Sequence, residues 1–130
     1  MDEFAIESVE AREILDCRLE PTLRVTVRTA GGGVGVADAP VGRSTGTHEA
    51  TERRDGGERY RGRGVREVAR SVGSRVGPAL SGMDARDQRM VDARLRDLDG
   101  TDDKSELGGN VTTGVSLAAA KAAADGLGVP

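Results

Sequence analysis

The sequence predicts an α+β domain: a three-stranded antiparallel meander followed by a helical subdomain. Three observations carry that expectation. Leu23, Val25 and Val27 alternate with Arg24, Thr26 and Arg28, the period of two of a half-buried strand. From Val65 onward the apolar period lengthens, with Val65, Val68, Ala69, Val72 and Val76 at helical spacing. Strand signals come first and helix signals after, the order of a sheet with helices gathered on one face.

The elements follow in turn. Phe4 to Leu15 mixes Ile6, Val9, Ile14 and Leu15 with charged residues and reads as the first strand. Pro21 opens the second, which runs to Thr29. Gly31-Gly32-Gly33 marks a turn, and Val34 to Ala39 forms the third strand, stopped by Pro40. The spacing suits a meander. The first helix is expected to end near Gly77-Pro78, weakened inside by Gly73. Asp84 is the N-cap candidate for a second helix with Asp87 in its first turn, where the helix dipole favours negative charge. Val91, Leu95 and Leu98 make its buried stripe. Asn110 is the cap candidate for a third helix to about Asp125, with Gly126 and Gly128 as stop signals. Six alanines between Ala118 and Ala124 let a neighbouring element approach closely.

At 130 residues this is a single domain, and with aromatics at 2% its core must come from Val, Leu, Ile and Ala. A formal charge of −3 gives no reason to expect nucleic acid as a partner. Arginine supplies nearly all the positive charge, since Lys104 and Lys121 are the only lysines. Cys17 is alone, so neither an intrachain disulfide nor a cysteine metal cluster is available, and no charged helix terminus is evident beside it to activate the thiol. Met1-Asp2-Glu3-Phe4 is not a secretory signal, and no stretch is apolar enough to span a membrane. The expected location is cytoplasmic.

The chemistry-bearing segment is Pro40-Val41-Gly42-Arg43-Ser44-Thr45-Gly46-Thr47-His48-Glu49-Ala50. Taken alone it has two readings. Gly42-Arg43-Ser44-Thr45-Gly46 fits the Gly-x-Ser-x-Gly pattern of a nucleophile elbow, which needs a parallel sheet and a histidine later in the chain. The one histidine, His48, lies four residues from Ser44, and the chain is too short for a hydrolase fold. The other reading is a polar turn before a short helix, capped by Ser44 or Thr45. Asp84, Asp87, Asp92, Asp97 and Asp99, with Asp102 and Asp103, lack the spacing of a calcium hand and read as a solvated face. His48 reads as a surface or packing residue.

Several segments together resemble one family, the enolases, in their amino-terminal domain. They are Ala11-Arg12-Glu13-Ile14-Leu15-Asp16 with Arg18, Pro21 and Thr22; the glycine-rich segment at Pro40; Arg54-Asp55-Gly56; Tyr60-x-Gly62-x-Gly64-Val65; and the run from Asp99 to Ala124. The matches span almost the whole chain in order. Departures are Cys17 for serine, Leu19-Glu20 for Gly-Asn, Val41 for serine, Arg43 for alanine, Asp103 for asparagine, and Gly109 and Val111 for alanines. Losing the glycine at Leu19 makes an unusual turn conformation harder to hold.

The resemblance implies the enolase amino-terminal fold and a share in phosphopyruvate hydratase, the glycolytic lyase that converts 2-phosphoglycerate to phosphoenolpyruvate. It implies that Gly42, Arg43, Ser44, Thr45 and Gly46 form the substrate loop, a lid hinged by its glycines, and that Ser44 gives oxygen ligands to a Mg²⁺ ion, which prefers hard donors. Arg43 either meets an anionic substrate or obstructs closure. In that family a lysine removes the carbon-bound proton, Mg²⁺ stabilises the enediolate, and a glutamate helps expel hydroxide. The base, the acid and the main metal carboxylates belong to a following barrel domain, which residues 1–130 do not include, so no catalytic residue is assigned here and neither lysine is promoted to the base. The partners implied are that barrel, in cis or in trans, the substrate pair once the barrel is present, and a homodimer whose contact lies near Ala11–Thr22, a stretch that reads equally as a strand end with solvated charges. The alternative is a stand-alone, non-catalytic enolase-like binding module.

Overall fold

The computed structural model describes residues 2–39, 51–102 and 104–129. Strands β1 (Ile6–Leu15), β2 (Pro21–Thr29) and β3 (Val34–Asp38) form one antiparallel sheet in the order β1-β2-β3, the expected meander. Val9 faces Val27, Ala11 faces Val25 and Glu13 faces Leu23, so the apolar positions of adjacent strands share one face. The register slips between Ile6 and Ser8, a bulge-like irregularity beyond which Ile6 still lies opposite Thr29. Thr29 closes the β2–β3 turn: its N–H donates to the Gly33 carbonyl at 2.9 Å, and its hydroxyl accepts from the Gly33 N–H at 2.9 Å.

Among the described residues a short 3-10 turn (Arg59–Gly62) and four α-helices follow: α1 (Arg66–Ser71), α2 (Gly77–Leu80), α3 (Gln88–Asp99) and α4 (Gly109–Leu127). The first helix does not stop at Gly77-Pro78. It continues through a π-helical stretch, Val72–Val76, into α2, because Pro78 falls in the first turn of α2, where its missing N–H costs no intrahelical bond. The wider π turn still buries Val72 and Val76 together with Val68.

Two expected caps are corrected. Asp87, not Asp84, caps α3, accepting from the Met90 N–H at 3.2 Å. Asp84 is spent elsewhere: it pairs with Arg86 at 2.8 Å, and Ala5 bridges to it as an isolated antiparallel contact. Asn110 does not cap α4 either. Gly108 holds the N-cap position with φ 100°, and the helix runs past Gly126 to a left-handed stop at Gly128. The acidic run is not uniformly solvated, since Asp99 is buried and accepts from the N–H groups of Thr101 (2.9 Å) and Leu107 (2.7 Å). It ties the end of α3 to the turn before α4.

The core is aliphatic apart from the buried ring of Phe4. Leu23, Val25, Val27 and Ala37 of the sheet meet Val111, Val115, Ala118, Ala119 and Ala122 of α4, while Val65, Val68, Val72, Val76 and Leu80 close the remaining side. The alanines permit a very short helix-to-sheet distance. A Cβ at Gly35 would lie 2.0 Å from the Ala118 carbonyl oxygen and 2.3 Å from the Ala122 nitrogen. Only glycine fits there.

Candidate functional site

Gly42, Arg43, Ser44, Thr45 and Gly46, with His48, lie outside the described residues. The residues on either side of that segment are described, and they define how it enters and leaves the domain. On the entry side Ala39 extends the ladder beyond β3: its N–H donates to the Leu23 carbonyl at 2.8 Å, and its carbonyl accepts from the buried Thr22 hydroxyl at 2.8 Å. On the exit side the Thr51 carbonyl accepts from the Gly109 N–H at 2.7 Å.

Asn110 completes the exit. Its carboxamide oxygen accepts from the Arg53 N–H at 3.0 Å, and its amide nitrogen donates to the Arg53 carbonyl at 3.0 Å. The carboxamide thus treats Arg53 as a neighbouring strand would, using both backbone groups of one residue. Asn110 is only 6% exposed, so water does not compete well for these bonds. Gly108 makes the approach possible, because a Cβ there would stand 2.5 Å from both the Arg53 Cβ and the Asn110 Oδ1. The glycine-rich loop of the sequence is therefore a seat for residues 51–53.

Arg54 and Asp55 continue the same scaffold. The Arg54 Nη1 donates to the carbonyls of Pro21 (2.6 Å) and Arg63 (2.9 Å), and its Nη2 pairs with Glu52 at 3.1 Å. Its Nε is buried with no partner among the described residues. The Asp55 carboxylate accepts from the N–H groups of Glu67 and Val68, both at 3.1 Å, and so satisfies two orphan donors at the start of α1. Gly56 and Gly57 both take positive φ, 76° and 74°, to turn the chain after it.

Glu13 gathers the next contacts. Its carboxylate accepts from both terminal nitrogens of Arg59, one at 2.8 Å, and from the Val65 N–H at 2.8 Å. The Arg59 guanidinium, followed by the Val65 N–H, holds its carboxyl below the usual glutamate range against the opposing effect of burial. Arg63 reaches Glu20 at 2.8 Å. Asp16 folds the β1–β2 turn by accepting from the N–H groups of Glu20 and Arg18, which hold its carboxyl below the ordinary range. Leu19 in that turn adopts φ 62°, the left-handed conformation, although it carries a side chain.

The motifs at Ala11–Thr22, Arg54–Gly56, Tyr60–Val65 and Asp99–Asn110 thus converge on one scaffold around residues 51–55. The sequence signalled each motif but not their convergence, because Asn110 read as a helix cap. Among the described residues no group of three or more His, Cys, Asp or Glu side chains could hold a metal ion. No helix there is long and apolar enough to cross a membrane. Ser44 carries the hard oxygen donors that suit Mg²⁺, so the donor chemistry fits, but the described residues do not complete a metal site by themselves. A family model described as "Enolase, N-terminal domain" matches residues 6–130.

Proposed function

The chain belongs to the family of enolase N-terminal domains, and from that membership we propose that it supplies the substrate loop of an enolase reaction. Gly42, Arg43, Ser44, Thr45 and Gly46 form that loop, with Ser44 giving its oxygens to Mg²⁺ and Arg43 facing an anionic substrate. The substrate pair is 2-phosphoglycerate and phosphoenolpyruvate, and the setting is glycolysis in the cytoplasm. The metal, when bound, offsets the negative charge of the substrate. A barrel domain, in cis or in trans, brings the proton-abstracting lysine, the acid and the main metal carboxylates, so the chain is not catalytic by itself. The same resemblance supports a homodimer.

The observation that carries this reading is the anchoring of both borders of the segment. Ala39 is bonded to β2 and Thr22, and Thr51 and Arg53 are bonded to the start of α4. A loop that must place one serine oxygen on a metal within a few tenths of an ångström needs both its ends fixed to rigid elements. This scaffold does that.

The test is phosphoenolpyruvate formation, followed by absorbance, with 2-phosphoglycerate and Mg²⁺. The chain alone should give no turnover. Added to a separately made enolase barrel it should restore turnover, and Ser44→Ala should lower the restored rate by about 10-fold or more. Turnover by the chain alone would overturn the division of labour. No restoration with the barrel would favour the second reading, a stand-alone enolase-like binding module. That reading draws on the departures at Leu19, Glu20, Val41, Arg43 and Val111, of which Leu19 imposes a left-handed backbone at a turn where the family has glycine.

A further inference from the structure

We propose that the cleft between α3 and α4 binds a small organic anion through Arg96 and Lys104. It involves none of residues 42–46 and stands independently of the reading above. The cleft measures about 310 Å³ and lies beside Leu95 and Thr112, both buried. That volume admits a molecule of a few carbons bearing one charged group, the lower end of small-ligand sites.

Its polar groups converge from three separate pieces of chain. Arg96 comes from α3, Lys104 from the turn before α4, and Thr113 and Ser116 from α4. Lys104 is brought to the rim by a left-handed backbone, φ 61°, and its carbonyl is fixed by the Gly108 N–H at 2.7 Å. Neither Arg96 nor Lys104 has an ion-pair partner among the described residues, so both charges are available to a ligand. The Ser116 Oγ accepts from the Gln88 amide at 2.6 Å, which leaves its own proton to donate. Thr113 also lines the cleft and is exposed, so its hydroxyl is open to a ligand. The cleft therefore offers two cations and two unspent hydroxyl donors to one oxyanion.

Among the described residues Asp92 is the one carboxylate that lines the cleft, and its Oδ1 already accepts from the Gln88 amide at 3.2 Å. One carboxylate against two cations leaves the described lining net positive. Leu95 and Leu117 supply an apolar wall, which a bare inorganic ion would not use. The shared ligand chemistry is thus an oxyanion on a short carbon skeleton, as a phosphate ester or a carboxylate.

The test is a titration of the isotope-labelled 130-residue chain, reading backbone amide shifts. The probes are glycerol 3-phosphate, succinate and inorganic phosphate. The expected result is saturable shifts at Lys104, Thr113 and Ser116 with half-saturation near about 1 mM for one of the organic probes. Which of the two binds tells phosphate ester from carboxylate. Arg96→Gln and Lys104→Gln should each raise half-saturation by about tenfold. Arg12→Gln, on the far face of the sheet, should change nothing. Shifts spread over all surface arginines, no saturation well above that concentration, or equal weakening by Arg12→Gln would overturn the proposal. Inorganic phosphate binding as tightly as either organic probe would overturn the organic part of the ligand.

Discussion

Replacing Asn110 by alanine removes the two bonds that hold Arg53 to the start of α4. Each such bond contributes about 1 kcal/mol net, so their joint loss costs about 2 kcal/mol. Alanine is the better helix former and Asn110 is the second residue of α4, which returns about 0.5 kcal/mol. The net destabilisation is about 1.5 kcal/mol. For a chain of 130 residues that lowers Tm by about 5–6 °C. Asn110→Asp separates the clamp from a helix cap. A cap tolerates aspartate as well as asparagine. The clamp does not, because a carboxylate oxygen then faces the Arg53 carbonyl where an amide donor stood. The aspartate variant should therefore lose about 1 kcal/mol at neutral pH, and recover part of it in acid, where a protonated carboxyl can donate again. The assays are thermal melts of both variants and amide hydrogen exchange at Arg53 and Gly109. Exchange at both amides should speed up in Asn110→Ala beyond the global change. An aspartate variant as stable as the parent, or unchanged exchange at Arg53 in the alanine variant, would refute the clamp.

Other positions give sharper or opposite signs. Gly35→Ala should destabilise by about 3 kcal/mol, the upper end of overpacking costs, because its Cβ meets the backbone of α4 at 2.0 Å and not a movable side chain; a urea melt with an unchanged midpoint would contradict the packing described. Leu19→Gly should stabilise by about 0.5–1 kcal/mol, since relief of the left-handed backbone outweighs the extra freedom of glycine in the unfolded chain; a lower Tm would be the wrong sign. Glu13→Gln should cost about 1–2 kcal/mol at neutral pH. The Glu13 carboxyl titrates below its ordinary value in the fold, so its contribution is complete above the ordinary glutamate range and vanishes as pH falls through the lowered folded value. The stability gap between parent and variant should therefore close below about pH 4.5, and a gap independent of pH would refute the role of the charge.

The sheet was legible in the sequence because strand periodicity there is simple. Val9, Ala11 and Glu13 share a face with Val27, Val25 and Leu23, and each strand break carries its own punctuation at Asp16–Glu20 or Gly31–Gly33. Helix ends were less legible, for a physical reason that recurs. Asp84, Asp87 and Asn110 are all residues that cap helices in isolation, and local sequence cannot say which of them another partner, near or distant, has already claimed. Arg86 claims Asp84, and Arg53 claims Asn110. Asp87 was left free to cap α3. The same competition hid Asp99, whose chemistry reads as solvated until the Leu107 N–H, eight residues on, is folded against it.

This competition also explains why the motifs around residues 51–55 look unrelated along the chain. A carboxamide can serve a helix start or a passing strand, and the choice depends on how near the strand lies. Here Gly108 sets that distance, since any side chain at its Cβ position would push Arg53 away. The information that makes Asn110 a clamp thus resides two residues earlier, in a glycine whose absence of a side chain leaves no periodic signal. Gly35 does the same for the helix-to-sheet distance, and the alanines that face it are informative only once the two elements are known to meet. Glu13 follows the pattern from the other direction. Its position in β1 places it on the inward face with Leu23, where a lone carboxylate would be costly. Arg59 and the Val65 N–H make that placement stable, and they lie 46 and 52 residues away. The scaffold is therefore specified by glycines that permit contact and by polar groups that use it, two signals that only three-dimensional proximity joins.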